Sequence, residues 1–570
     1  MTPICHRRRI RSVPMEEMVG RVLGTRESTP LEFWVGVGEG EYLQLDDVVA
    51  LERILPTGEV VKMFGTVGQV IARHEGARFD SDVFLIEDGI LPAEVSEAAQ
   101  VTATRFEPEV FVPPRPGQAV RIAEGDERDQ ALFFDRMERK VPVGLARNGE
   151  PLWVNFEFVN GDRGAHVNIS GISGVATKTS YATFLLHSLF TSGVLGKAAI
   201  NTKALIFNVK GEDLLHLDRV NSRLDDEQRT RYADLGLPST PFESVGTFAP
   251  PRIDDSRATA DVATRSDVTS FFWSIDEFCS QDLLPFLFAD AEDDRAQYTT
   301  VVYNVMAQLR LAESTDTGAA VIDGVKVRTF RELADLITER VQSDEHRNRW
   351  AGPAIGTGTI NAFVRRLQAS VRHLGRLIRS DVPDPQRHRI DLEGNQVTVV
   401  DLHNLNDRAK RFVVGVTLKR AFEAKERAGQ SEELLMVVLD ELNKYAPREG
   451  TSPIKEVLLD IAERGRSLGV ILIGAQQTAS EVERRIIANS SIRVVGRLDS
   501  AEASREEYGF LPSVHRQRAT IVKPGTMILS QPELPVPLVL EFPFPAWATR
   551  HTEAVQPRDL EAPADPFEDL

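Results

Sequence analysis

Two widely separated segments carry the residue types that phosphate chemistry needs. His166–Phe190 reads HVNISGISGVATKTSYATFLLHSLF, an apolar strand, then a loop with Gly171 and Gly174, then Lys178–Thr179–Ser180 opening a helix. Glycines let backbone N–H groups close around phosphates, and a helix N-terminus adds its dipole. A lysine reaches the β and γ groups, and a neighbouring hydroxyl ligates magnesium. The candidate nucleotide-binding residues are therefore Gly171, Ser173, Gly174, Val175, Ala176, Thr177, Lys178, Thr179 and Ser180. The match to the pattern G-x-x-x-x-G-K-S/T is imperfect. Anchored on Lys178, the two glycines fall at Ile172 and Thr177; anchored on Gly171 and Gly174, the loop is one residue too long. A β-branched Thr177 suits a tight phosphate-wrapping turn poorly, because its Cβ crowds positive φ. Taken alone, an incidental strand–turn–helix reads the same way.

The second segment, Leu434–Glu441 (LLMVVLDE), is a continuous apolar run ending in adjacent carboxylates. A buried parallel strand of this kind delivers them to the carboxyl edge of a sheet, where open α/β folds bind ligands. With Lys178–Ser180 upstream, Asp440 and Thr179 are expected to hold a magnesium ion and Glu441 to polarise the attacking water. An isolated Asp-Glu pair would more simply begin a loop or cap the next helix. A third segment, Ala462–Gln477 (AERGRSLGVILIGAQQ), ends a second apolar strand in Gln476–Gln477. Gln476 is the preferred contact for the γ-phosphate, against the alternative that both glutamines only bond loop backbone. Arg464, Arg466, Arg493 and Arg497 are candidates for an arginine that completes a neighbouring subunit's site, with Arg464 and Arg497 preferred; each alone also reads as a solvated side chain.

The elements that must position these residues follow from the pattern around them. From Val19 to about Ala103 the chain reads as short strands with turns, at Phe33–Val37, Val48–Ile54, Val60–Val70 and Asp82–Ile86, which predicts a small β-barrel. FVPPRPG at Phe111–Gly117 has three prolines in seven residues, enough to stop regular structure. Beyond it, apolar runs at His166–Ser170, Ala204–Val209, Val397–Leu402, Leu434–Leu439, Val470–Gly474 and Ile492–Arg497 alternate with helical stretches, as an α/β domain with a mainly parallel sheet requires. Tyr298–Leu311 and Phe330–Val341 have helical spacing. The expected layout is a barrel over 1–110, a core over 119–213 and 390–545, a helical insertion over 214–389 and an acidic flexible tail over 546–570.

At 570 residues the chain exceeds what one core organises. Its composition, 42% hydrophobic and 27% charged, is that of an ordinary globular protein. No apolar run approaches the roughly 20 residues that span a bilayer, and no secretory h-region follows Met1–Arg11, so no membrane partner and a cytoplasmic location are expected. Two cysteines, Cys5 and Cys279, are too few for a disulfide framework or a structural zinc site. A net charge of −18 argues against coating nucleic acid with the whole surface. It leaves room for a basic bore inside an acidic ring.

In their order these residues resemble the HerA–FtsK superfamily of ring-forming P-loop DNA translocases, and most closely HerA-like proteins. Gly20–Arg21–Val22, near the start of the predicted barrel, and Leu45–Asp46–Asp47–Val48–Val49, within it, resemble that family's HAS barrel. Gly171–Ser180 resembles its P-loop, IFNVKGED at Ile206–Asp213 its second-strand element, and VVDLHNL at Val399–Leu405 a further core strand. LDELNKYAP stands where the family has its Walker B strand, and GAQQTAS where it has a sensor strand. The resemblance spans roughly residues 19–545. Asn208 replaces the usual aspartate, Asn443 stands near a position often held by histidine, and the P-loop is atypical. The resemblance implies a RecA-like P-loop ATPase core with a helical insertion behind an N-terminal barrel, and ATP with Mg2+ as cofactors. It further implies a homohexamer threading double-stranded DNA through a central pore, serving a NurA-like or other effector nuclease in end processing or anti-phage defence. A ring scaffold that binds nucleotide with weak or no hydrolysis, and a small-molecule kinase, are the competing readings.

Overall fold

The computed structural model describes residues 18–75, 77, 79–91, 94–172, 177–288 and 296–554. The chain forms two compact units, one from Met1–Lys140, Phe510–Arg518 and Ile528–Val539, the other from Val141–Gly509, Ala519–Met527 and Leu540–Leu570.

In the first unit six strands close into a barrel: β1 (Gly20–Val22), β2 (Glu32–Val37), β3 (Val48–Ile54), β4 (Val60–His74), β5 (Val95–Glu107) and β6 (Ala119–Ile122), in the order β1-β2-β5-β4-β3-β6. Closure removes free sheet edges. The ring closes because β6 pairs antiparallel with both β1 and β3. The proline-rich segment therefore lies inside the barrel's chain path, ahead of its closing strand. Phe33, Val35, Val49, Leu51, Val61, Met63, Val101 and Val120 fill the interior. At Gly65 the register of β4 on β5 shifts, and a Cβ there would stand 2.5 Å from Val101 Cγ1 and 2.7 Å from Thr102 O. Only glycine allows the two backbones to approach so closely.

Asp82–Ile86, read from sequence as a strand, is instead a helix over Asp82–Glu87 with no buried residue. Four consecutive apolar residues fit either conformation. Here the local bonds prevail, Asp88 N–H donating to Phe84 O at 3.0 Å.

The six apolar runs expected as core strands of the second unit are strands. With their neighbours they are β7 (Lys140–Leu145), β8 (Pro151–Asn155), β9 (Val167–Ser170), β10 (Lys203–Asn208), β11 (Val245–Ala249), β12 (Thr269–Ser270), β13 (Glu313–Ser314), β14 (Ala320–Ile322), β15 (Val325–Val327), β16 (Val397–Asp401), β17 (Leu435–Asp440), β18 (Val470–Gln476) and β19 (Ile492–Val495). Within this unit the strands run β12-β11-β16-β10-β17-β18-β9-β19. Their pairings from β12 to β19 are all parallel. Every residue of β17 and β18 is buried, which is why they read as unbroken apolar runs.

The stretch 214–389 holds the expected helices, as Ala296–Leu309 and Phe330–Gln342. It also supplies β11 and β12, which extend the sheet at its edge, and the small sheet β13-β14-β15. Of the expected tail, residues 546–554 are docked chain: Ala546, Trp547 and Ala548 are buried, and the Trp547 ring packs against His187 and Phe242. An indole of that size gains too much from burial to stay in water. Residues 555–570 lie outside the described part.

Just ahead of β9 the chain holds a buried imidazole. His166, at φ +65°, accepts the Leu472 N–H on Nδ1 at 2.9 Å. Burial pushes its pKa down to about 4, against 6.5 for an ordinary histidine. The stability this neutral imidazole contributes is whole above pH 6.5 and drains as pH falls toward 4, because the unfolded chain takes up the proton first. His166→Asn keeps an acceptor and tolerates positive φ. In urea unfolding between pH 6.5 and 4.5, it is expected to lose less stability than the wild type, by up to about 1.4 kcal/mol per pH unit. Equal losses would show that His166 does not titrate in this window.

Candidate functional site

The parallel register carries the polar strand ends to one edge of the sheet. Ser170 lies opposite Gln476, Asp440 opposite Ala475, and Asn208 opposite Asp401. Because β18 lies between β9 and β17, the loop after Ser170 and the carboxylate of Asp440 are held one strand apart.

Asp440 is only 4% exposed, and each of its oxygens is answered. Oδ2 accepts the Thr179 hydroxyl at 3.0 Å and faces the Lys210 ammonium at 2.8 Å, while Oδ1 accepts the Glu441 N–H at 2.8 Å. Thr179 is presented by the first turn of the helix Thr177–Thr191. That helix is anchored deep in the unit, where Tyr181 donates to Val143 O at 3.2 Å and Ser188 to Pro142 O at 2.6 Å. Lys178 is buried and donates to Gly171 O at 2.7 Å. Burial lowers its pKa, and Lys210 adds to the lowering, while the Asp440 and Glu441 carboxylates oppose it.

Glu441 has φ +57° and ψ +41°, a left-handed conformation that costs a residue with a Cβ about 1–2 kcal/mol. It turns the chain sharply at the strand end, and its carboxylate pairs with Lys444 at 2.8 Å. Strain of this sort persists where the surroundings enforce it, often at functional positions.

Most of these groups line an open cleft with a cavity volume of about 250 Å³. Its walls include Lys178, Thr179, Ser180, Lys210, Asp213 and Asp440, and the docked C-terminal segment contributes Thr549 and Arg550. Beside it Asp401 is wholly buried, accepting Asn208 Nδ2 at 2.9 Å and bonded to His403 Nδ1 at 2.7 Å. That bond to Asp401 raises the His403 pKa above the ordinary histidine value.

Of the residues singled out from sequence, Lys178, Thr179, Ser180 and Asp440 meet in the cleft, with Glu441 adjoining Asp440. Gly171 begins the loop, its N–H donating to Gln476 O at 3.2 Å. Ser173, Gly174, Val175 and Ala176 lie outside the described residues, as does the Thr177 side chain. Gln476 is at its strand tip but not in the cleft. It is wholly buried, and its amide nitrogen donates to Asn168 Oδ1 and Ser170 Oγ, both at 2.9 Å. Arg464 points elsewhere, pairing with Glu426 and lying over the Phe422 ring. Arg466 bonds the carbonyls of Gly161 and Asp162. Arg497 is exposed, and its carbonyl accepts the Ile172 N–H at 2.7 Å, so it adjoins the loop.

Lys210, Arg550 and the Asn208–Asp401–His403 group were not singled out as site residues. The signal for Lys210 was its place just past an apolar strand, in IFNVKGED. For Arg550 there was none, because its approach depends on how the C-terminal segment docks.

Solved structures similar to this chain include VirB4 of Thermoanaerobacter pseudethanolicus, at 14% identity over 74% of this chain and 99% of that one, TM-score 0.44. The bacterial conjugative coupling protein TrwBΔN70, in a trigonal form with sulphate, is 12% identical over 74% of this chain and 95% of that one, TM-score 0.47. The genome packaging NTPase B204 of Sulfolobus turreted icosahedral virus 2, in complex with ATP-γS, is 10% identical over 26% and 70%, TM-score 0.21. These likenesses are distant, and no residue role is carried across from them. No protein-family model matches the chain, and no curated protein matches it.

The left-handed backbone at Glu441 has a measurable signature. Glu441→Ala and Glu441→Gly both remove the carboxylate, but only glycine releases the φ +57° strain. Glu441→Gly is expected to be the more stable of the two by about 1 kcal/mol in urea unfolding, the reverse of the usual order. Alanine proving equal or better would mean that the turn is not strained.

Proposed function

We propose that this protein is an ATP-hydrolysing motor of the HerA–FtsK type, a homohexamer that moves double-stranded DNA through a central pore on behalf of a NurA-like or other effector nuclease. The observation that carries the reading is the meeting of Lys178, Thr179 and Asp440 at one sheet edge, a lysine, a hydroxyl and a buried carboxylate converging from segments far apart in sequence. The order of motifs from the barrel to the GAQQTAS strand supports the family, and the family supplies the hexamer, the DNA and the nuclease.

The donor set fits Mg2+ bound with a nucleotide. Among the described residues no group of three or more His, Cys, Asp or Glu is placed to hold a metal, whereas magnesium in such sites takes one or two protein oxygens and completes its shell with phosphates and water. Asp440 and Thr179 would supply those oxygens, and the bound ion would neutralise phosphate charge. Lys178 would supply the positive charge for the β and γ phosphates. Glu441 accepts a proton from the attacking water, or orients it, from a position fixed by the turn at its own backbone. Gln476 ties the tips of β9 and β18 together and positions the loop. Arg497 is the arginine offered to a neighbouring subunit, since Arg464 is already engaged by Glu426 of its own chain.

Among the described residues no helix is long and apolar enough to cross a membrane. A second reading, a ring scaffold with weak hydrolysis, is favoured by Thr177, which opens the helix where the phosphate-loop pattern has glycine. DNA-stimulated ATP turnover separates the two.

Lys178→Ala is expected to abolish tight ATP binding, measured with a fluorescent analogue; unchanged affinity would displace the nucleotide from this cleft. Glu441→Gln is expected to bind ATP normally yet turn over at least roughly a hundredfold more slowly. Protomers carrying Glu441→Gln and protomers carrying Arg497→Ala, each inactive alone, are expected to recover partial turnover when mixed. Absence of recovery between protomers shown by labelling to exchange would remove Arg497 from that role.

A further inference from the structure

Lys210 has no part in the roles assigned above, yet its ammonium is the nearest cation to the carboxylate proposed to hold metal. Its Nζ lies 2.8 Å from Asp440 Oδ2, the same oxygen that accepts the Thr179 hydroxyl at 3.0 Å. A divalent ion held by both Thr179 and Asp440 would draw on that same oxygen, where it would compete with the ammonium, since two like charges repel at such a distance. Lys178 is not the competitor, because its ammonium is buried and bonded to Gly171 O.

The surroundings of Lys210 suit an exchangeable group. The backbone on both sides is pinned: Asn208 Nδ2 donates to Gly211 O at 2.7 Å, and Glu212 accepts the N–H groups of Ala263 and Thr264, each at 2.8 Å. The Lys210 side chain, by contrast, is 44% exposed, so its ammonium can leave Asp440 by side-chain rotation alone. It then remains on the wall of the same cleft, facing the phosphates that arrive with the metal.

We propose that Lys210 is the resident counter-ion of Asp440, which a divalent cation must displace, so that this lysine sets the metal affinity of the site and is handed to the phosphates as the metal enters. The proposal rests on the nucleotide-site reading above and identifies a positioning residue within it.

The test is a titration of the full-length protein with Mn2+ alone, free ion being followed by electron paramagnetic resonance. Lys210→Met removes the competing charge and keeps an unbranched side chain only one atom shorter. It is expected to lower the Mn2+ dissociation constant roughly two- to fivefold, the scale of losing a partly exposed ion pair. Lys210→Gln should behave alike, guarding against a packing effect of methionine, and Lys210→Arg should resemble the wild type. In an Asp440→Asn background the Lys210→Met effect should vanish. Unchanged or weaker Mn2+ binding in both neutral variants, with folding verified by circular dichroism, overturns the proposal. ATP binding by the wild type is measured separately: its absence would sink the nucleotide-site reading, whereas the metal titration addresses Lys210 alone.

Discussion

A carboxylate at the end of a wholly buried strand cannot be left without partners, and this requirement at Asp440 governs the arrangement around it. A charge that is 4% exposed would be too costly unless hydrogen bonds and an opposite charge answer it. Thr179, Lys210 and the Glu441 N–H do so, each from a different element. The helix after the loop, the turn after β10 and the left-handed turn after β17 must therefore all end within reach of one group. The strand order satisfies this, since β17 lies between β10 and β18, and β18 alone separates it from β9.

The same constraint explains why so much of the second unit was legible in sequence. Strands covered on both faces leave no place for a polar residue until they emerge at the edge, so β17 and β18 appear as apolar runs closed by Asp440 and Gln476. Both the sheet and the edge at which its polar side chains emerge were written in those run ends. The orientation of each side chain was not. Gln476 stands at its tip as expected, but Asn168 and Ser170 on the neighbouring strand offer its amide hydrogen bonds inside the sheet. A residue's place in a strand gives its height along the edge, while the partner that claims it comes from another strand.

Elsewhere the sequence was silent or misleading for local reasons. Val83–Phe84–Leu85–Ile86 has no periodicity that separates helix from strand, and no sheet neighbour arbitrates. β6 is four residues long and follows prolines, so nothing in its own composition marks it as the strand that closes a barrel. Lys210 meets Asp440 across 230 residues of sequence, a contact that patterning does not encode. The docking of Ala546–Ala548 depends on Tyr232, whose hydroxyl accepts the Ala546 N–H at 3.2 Å, and on Asn221, whose amide donates to Pro545 O and Trp547 O.

That docked segment also sets the timing of assembly. The cleft takes its first wall residue from Ile172 and its last from Arg550, so a ribosome working at about 5–20 residues per second leaves an interval on the order of tens of seconds between them. Throughout that interval the emerging chain holds Lys178 and then Asp440 but not the wall that Thr549 and Arg550 provide. Any ligand that depends on the finished wall can therefore bind only after the sheet is complete, which makes its binding a reporter of a correctly closed chain.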